Sequence, residues 1–183
     1  MNHKSTQCQD IILDRDGVIN LDSEAYVKSE AEWIAIDSSI QAIALLHQAG
    51  HRIFVATNQS GVGRGFFTLE ALDAMHRKMS NLVQQAGGQI DDIAFCPHKP
   101  EDECGCRKPK AGLLKALADK NQITLTNSIV IGDSLRDLQA ATDVGAKAIL
   151  VLTGKGTKTR QQNPALPYPI YETLYDAAKA ILA

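Results

Sequence analysis

Short apolar runs and amphipathic stretches alternate along this chain, and no other feature restricts its fold as much. Gln9 to Leu13 reads as a first strand. A polar segment then runs to Asp37, and Ser38 or Ser39 can cap a helix that carries Ile40, Ile43, Ala44 and Leu46 and stops at Gly50. Arg52 to Ala56 is a second strand. After a Gly-rich loop, Thr68 can cap a long helix in which Leu69, Leu72, Met75, Met79, Leu82, Val83 and Ala86 recur at helical spacing. Ile90 to Phe95, Ser128 to Ile131 and Lys147 to Leu152 read as further strands, with helices over Lys110 to Lys120 and Leu135 to Val144 between them. Thr153 to Pro169, rich in Gly, Pro, Thr and Lys, is expected to be irregular surface chain before a terminal helix around Thr173 to Leu182. Such alternation implies an α/β fold of mostly parallel strands joined by right-handed helical crossovers, with helices on both faces of the sheet. Ligands then bind beyond the carboxyl ends of the strands.

With 183 residues, a single domain spanning 1–183 is expected. Hydrophobic residues at 44% and charged residues at 22% place the chain among globular proteins. A formal net charge of −2 offers no general attraction to nucleic acid or to an anionic membrane. No run approaches the roughly 18 apolar residues of a bilayer span, and the start from Met1 to Asp10 lacks the apolar region of a secretory signal. A cytoplasmic location is expected, and with no oligomer interface legible, a monomer.

The residues that carry chemistry sit at predicted strand ends. Asp14-Arg15-Asp16-Gly17 follows the run Ile11-Ile12-Leu13. One Asp there can attack phosphorus while the other, two residues on, protonates the leaving alcohol and later activates water. Gly17 permits a sharp exit from the strand. The second strand ends in Thr57-Asn58-Gln59-Ser60-Gly61, whose hydroxyls, amides and turn N–H groups can cradle a phosphoryl group. Ser128 to Ile131 ends in Gly132-Asp133-Ser134-Leu135-Arg136-Asp137, which brings carboxylates beside Asp14 if the two strands are sheet neighbours. Asp133 or Ser134 can also cap the next helix. Clustered carboxylates call for a hard cation, and Mg²⁺ fits. Lys108, followed by Pro109, offers a further positive charge.

Three of the four cysteines fall in one loop. Cys96, His98, Cys104 and Cys106 form C-x-H-x5-C-x-C, and three sulfurs with one imidazole suit a closed, structural Zn²⁺ site. A dithiol of Cys104 and Cys106 is the rival, but it leaves Cys96 and His98 unexplained. Cys8 reads as a free thiol, and His3, His47, His51 and His76 read as structural or solvated.

Together these segments resemble the haloacid dehalogenase superfamily of phosphatases, matched in order by Asp14 and Asp16, Thr57, Lys108, and Asp133 with Asp137. The resemblance implies a Rossmann-like fold with Asp14 as nucleophile, Asp16 as general acid and base, and Thr57 and Lys108 as the phosphoryl clamp. It implies that Asp14, the main-chain carbonyl of Asp16, and Asp133 hold Mg²⁺, with Asp137 ordering the metal's water or Lys108. The zinc loop, spanning 96–106, and the absence of a large cap narrow the resemblance to the D-glycero-D-manno-heptose-1,7-bisphosphate 7-phosphatases and, more distantly, the histidinol-phosphate phosphatases. Asn58-Gln59-Ser60-Gly61-Val62-Gly63-Arg64-Gly65 and the stretch from Gly132 to Ala141 look like the heptose enzymes, which serve nucleotide-activated heptose synthesis for lipopolysaccharide core.

By that resemblance Asp22, Tyr26, Asn58, Gln59, Ser60, Arg64, Arg107 and Ser134 face a sugar bisphosphate. Arg107, beside Lys108, can grip the phosphate that is not cleaved, a task suited to a guanidinium fork. Histidinol phosphate is the alternative substrate. A DNA 3′-phosphatase is disfavoured by the acidic charge, and an idle zinc-loop binding module by the complete set of acids, hydroxyl and lysine.

Overall fold

The computed structural model describes residues 8–183, so His3 and most of the N-terminal start lie outside the described residues. Six strands form one sheet: β1 (Asp10–Leu13), β2 (Arg52–Asn58), β3 (Asp92–Cys96), β4 (Ile129–Gly132), β5 (Lys147–Val151) and β6 (Ile170–Tyr171). Their order is β3-β2-β1-β4-β5-β6, and every pairing is parallel. The helices are α1 (Asp37–Gln48), α2 (Ser60–Gly63), α3 (Leu69–Gln85), α4 (Gly112–Asn121), α5 (Leu135–Asp143), α6 (Gly156–Gln162) and α7 (Leu174–Leu182). None of the described helices is long and apolar enough to cross a membrane.

The alternation of side chains along the strands divides the core in two. Ile11, Leu13, Ile53, Val55, Ile129, Ile131, Ile149 and Val151 pack on one face with Ile43 and Leu46 of α1, Leu72, Met75, Met79 and Val83 of α3, and Leu174 and Ala177 of α7. Ile12, Phe54, Ala56, Val130, Ala148 and Leu150 pack on the other with Leu113, Leu114 and Leu117 of α4 and Leu138 and Ala141 of α5. β1 is buried on both faces and bordered on both edges, which is why it reads as an uninterrupted apolar run.

Four local expectations are corrected. The segment before α1 is not simply polar: Val18, Ile19, Val27 and Trp33 are buried in the first core. Neither Ser38 nor Ser39 caps α1; the extended N-cap is Ile36, and the Ser39 hydroxyl instead donates to the Val18 carbonyl at 2.6 Å, pinning that segment. Thr153 to Pro169 is not irregular throughout, because α6 forms within it. Its Thr159 hydroxyl is buried and donates to the carbonyl of Asp133 at 2.8 Å, so contact with β4's end decides where local propensity is weak. The edge strand β6, only Ile170 and Tyr171, had no periodicity to betray it. Thr68 does cap α3, accepting from the Ala71 N–H at 3.2 Å.

Candidate phosphoryl-transfer site and zinc loop

Sheet register assembles the site. Leu13 pairs with Val55 on one side and Ile131 on the other, so the chain leaves β1 at Asp14 level with the ends of both neighbours. Thr57 and Asp133 lie two residues beyond those partners. The strand order reverses between β1 and β4, and such a switch point opens a crevice at the carboxyl ends. The Asp14 N–H donates to the Ile131 carbonyl at 2.9 Å, fixing the backbone there.

The crevice holds a charged cluster. Asp14, Asp133 and Asp137 each offer a carboxylate oxygen within 4.8 Å of the others. Lys108, almost fully buried, places Nζ 3.0 Å from Asp14 and 2.5 Å from Asp137, and donates to the Ala56 carbonyl at 2.7 Å. Burial works against the charge of Lys108, but Asp137 and Asp14 overcome it and hold the ammonium above its ordinary pKa. The three carboxylates face this one ammonium, and two negative charges remain unbalanced. The imbalance is visible in the acids. Burial, reinforced by Asp137 and Asp16 and opposed by Lys108, pushes Asp14 up to about 6. Burial with the charges of Asp14 and Asp137 pushes Asp133 up to about 8. Asp137 goes the other way: burial is outweighed by Lys108 and by hydrogen bonds from Ser134. A doubly charged cation with a preference for oxygen fits this donor set and this charge.

Two glycines let the backbone close on Asp133. Gly17 and Gly154 both have positive φ, +84° and +54°, and a Cβ on either would collide with Oδ2 of Asp133. The same oxygen accepts from the N–H of Lys155 at 2.8 Å.

Asp16 stands apart from the cluster. Arg15 donates to it from Nε and Nη2, Asn20 from Nδ2 at 3.0 Å, and Gln59 from Nε2 at 2.7 Å. Burial raises its pKa, but the Arg15 charge and these hydrogen bonds prevail and hold it below the ordinary carboxylate value. Gln59 also donates to Oγ1 of Thr57 at 2.9 Å and accepts from Arg15 at 3.1 Å, so its amide ties Asp16 to the buried Thr57. Asn58 makes two hydrogen bonds of 3.1 Å to the backbone of Lys108 and thereby positions it. Ser134 donates through both N–H and hydroxyl to Asp137, at 3.1 and 2.5 Å, at the start of α5. Ser60 is buried at the start of α2.

The remaining predicted residues surround this centre. Asp22 is paired with Lys155 at 2.7 Å. Tyr26 has a positive φ of 66° and packs edge-on against Phe66, ring centres 5.1 Å apart. Arg64 reaches Glu101 at 3.5 Å. Arg107 donates from Nη1 to the His98 carbonyl at 3.2 Å. Sequence reasoning gave no role to Arg15, Asn20, Arg136 or Lys155. Arg15 was visible inside the D-R-D-G motif, whereas Lys155 lay in the segment read as surface chain.

Cys96, the last residue of β3, meets His98, Cys104 and Cys106 in one cluster. The sulfurs are 3.2 to 3.6 Å apart, and Nδ1 of His98 is 3.6 Å from Cys96 and 3.3 Å from Cys106. A disulfide needs about 2.05 Å, so these are thiols, and Cys96 and His98 close on Cys104 and Cys106 as a four-ligand site requires and a dithiol alone does not. Zn–S bonds of about 2.3 Å set the edges of a tetrahedron near 3.8 Å, so the four atoms fit a zinc ion after a small expansion. Lys110 donates to the carbonyls of Glu103 and Cys104 at 2.8 and 2.9 Å, which ties the loop to the stretch bearing Lys108.

Known proteins resemble this chain. A HAD-hydrolase-like family model matches residues 105–177. The D-glycero-β-D-manno-heptose-1,7-bisphosphate 7-phosphatase of Neisseria meningitidis serogroup A is 50% identical over 94% of both chains. That of Pseudomonas putida is 46% identical over 94% of this chain and 98% of its own. The crystal structure of D,D-heptose 1,7-bisphosphate phosphatase from B. bronchiseptica, complexed with magnesium and phosphate, superposes with a TM-score of 0.91 at 48% identity, covering 95% of this chain and 98% of that one. Its counterpart from Burkholderia thailandensis gives 0.76 at 40% identity, covering 96% and 99%. With this identity carried across nearly the full length, the chain belongs to the D,D-heptose-1,7-bisphosphate 7-phosphatase family of HAD-like hydrolases.

Proposed function

We propose that this protein hydrolyses the C7 phosphate of D-glycero-β-D-manno-heptose 1,7-bisphosphate in two steps. The carboxylate of Asp14 attacks phosphorus and the P–O bond to C7 breaks, giving an aspartyl-phosphate and a heptose alcohol that takes a proton from Asp16. Water, losing a proton to Asp16, then attacks the phosphoenzyme and frees inorganic phosphate. As held by Arg15, Asp16 is in the ionised form that the second step requires; the first step requires its acid, and an incoming phosphate dianion raises its pKa in that direction. Lys108 and Thr57 hold the transferring oxygens.

The observation that carries this chemistry is the triangle of Lys108 with Asp14 and Asp137, which presents a cation and a restrained carboxylate to one small cleft. Asp14, Asp133 and the main-chain carbonyl of Asp16 would hold Mg²⁺, which when bound shields the repulsion between nucleophile and phosphate. Zn²⁺ held by Cys96, His98, Cys104 and Cys106 would have a structural task, keeping Arg107 and Lys108 in place. Asp22, Tyr26, Asn58, Gln59, Ser60, Arg64 and Ser134 line or support the sugar's path. A cytoplasmic monomer serving heptose activation for lipopolysaccharide core completes the reading.

A panel of heptose 1,7-bisphosphate, heptose 7-phosphate and histidinol phosphate, assayed with Mg²⁺, tests it. The bisphosphate is expected to give the highest kcat/KM; a preference for histidinol phosphate would overturn the reading.

A further inference from the structure

The cleft bounded by Asp14, Asp16, Asn58, Lys108, Asp133 and Asp137 has a volume of only about 60 Å³. That is about two water volumes. It admits a phosphoryl group, and two grooves beside it can receive other parts of a substrate. One, of about 740 Å³, is reached past Lys155. It is lined by Asp22 and Glu24 as well as by Lys155 and Lys158, so its formal charges balance. The other, of about 300 Å³, is lined by Arg107, Lys108, Lys110 and Arg136 against one carboxylate, Glu103. Of the two, this groove offers net positive charge to a second phosphate.

We propose that Arg136 joins Arg107 in gripping the phosphate that is not cleaved, and so determines specificity for a bisphosphate; this rests on the function proposed above. Arg136 alone among the exposed side chains of the second groove also borders the small cleft. It is exposed, in the first turn of α5, where the helix dipole disfavours a cation. No ion pair or side-chain hydrogen bond compensates it among the described residues, since the neighbouring Asp137 is committed to Lys108 and Ser134. A cation placed against the dipole with no protein partner points to a partner from outside. Lys110, by contrast, spends its ammonium on two loop carbonyls. Arg107 uses Nη1 on His98 and keeps its other donors. Two guanidinium forks then face one phosphate.

The test compares wild type, Arg136→Ala, Arg136→Lys, Arg107→Ala and the double alanine variant, each with heptose 1,7-bisphosphate and heptose 7-phosphate. Arg136→Ala should lower kcat/KM for the bisphosphate roughly ten- to a hundredfold, at least about tenfold more than for the monophosphate, as expected for a charge-assisted contact. Arg136→Lys should recover part of the difference. The double variant should lose less than the product of the single losses, because both residues serve one group. Equal losses on the two substrates, in an enzyme whose wild type prefers the bisphosphate, would overturn the role of Arg136 while leaving the activity standing. A wild type with no preference for the bisphosphate would overturn both, and that is read before any variant is made.

Discussion

Lys108 Nζ lies 3.0 Å from Oδ1 of Asp14, a buried ion pair between the second residue past the zinc loop and the first residue beyond the central strand β1. Nothing local holds the lysine there. Asn58 fixes its backbone and Asp137 fixes its ammonium. Removing the cation leaves two buried carboxylates facing each other, so Lys108→Met should destabilise the fold by about 3 to 5 kcal/mol and lower kcat by about a hundredfold or more. Denaturant unfolding and steady-state rates measure the two effects. An unchanged unfolding midpoint would show that the pair contributes little to stability.

The two acids of the first motif differ in surroundings, and their variants should differ in kind. Asp14→Asn should abolish turnover, since a neutral amide does not attack phosphorus. Asp16→Asn keeps the nucleophile and loses the group that activates water, so phosphoenzyme should accumulate with an activated ester. Intact-mass spectrometry after rapid acid quench would detect it. Fully active Asp14→Asn protein would end the covalent mechanism.

What could be read from the sequence was what β/α alternation and strand ends dictate. Every interior strand was placed within two residues, because a strand buried on both faces is an unbroken apolar run. The adjacency of β1 and β4 was posed as a condition, and the sheet order supplies it. Less legible were features set by tertiary contact. Ser39 reads as a cap by propensity yet serves a carbonyl twenty-one residues back in the chain. α6 forms because Thr159 and Gly156 close on β4 and β5, not because its sequence is strongly helical. Gln59 and Asn58 read as phosphate ligands, and their amides turn out to hold Asp16, Thr57 and Lys108; hydrogen-bond partners distant in sequence leave no periodic trace.

The zinc loop makes a prediction about metal and fold together. Cys104→Ser removes one of the four clustered ligands, and because binding energy at a structural site is folding energy, the variant should purify with less zinc and melt at a lower temperature. Activity should fall indirectly, through a looser Arg107 and Lys108. Elemental analysis showing no zinc in wild-type protein with full activity would defeat the assignment.

His76, on α3, predicts how stability changes with acid. It is buried, its ring centre lies 6.0 Å from that of Phe95, and its Nε2 has no partner among the described residues. Burial first, then the positive charge of Arg15, lower its pKa to about 4, against the smaller pulls of Asp16 and Asp73. Above the unfolded-state value of 6.5 the imidazole is neutral in both states and stability does not depend on it. As pH falls through 6.5 the unfolded chain takes up a proton that the native state refuses, so stability declines until the native group titrates near 4 and is constant below. The full decline is about 3 kcal/mol. His76→Asn lacks this titration, and the carboxylates of the cleft are common to both proteins. The difference in unfolding free energy between wild type and variant should therefore move against wild type by about that amount between pH 7 and pH 4. Parallel stability curves for the two proteins over that range would show that His76 takes up its proton as readily in the native state as in the unfolded chain.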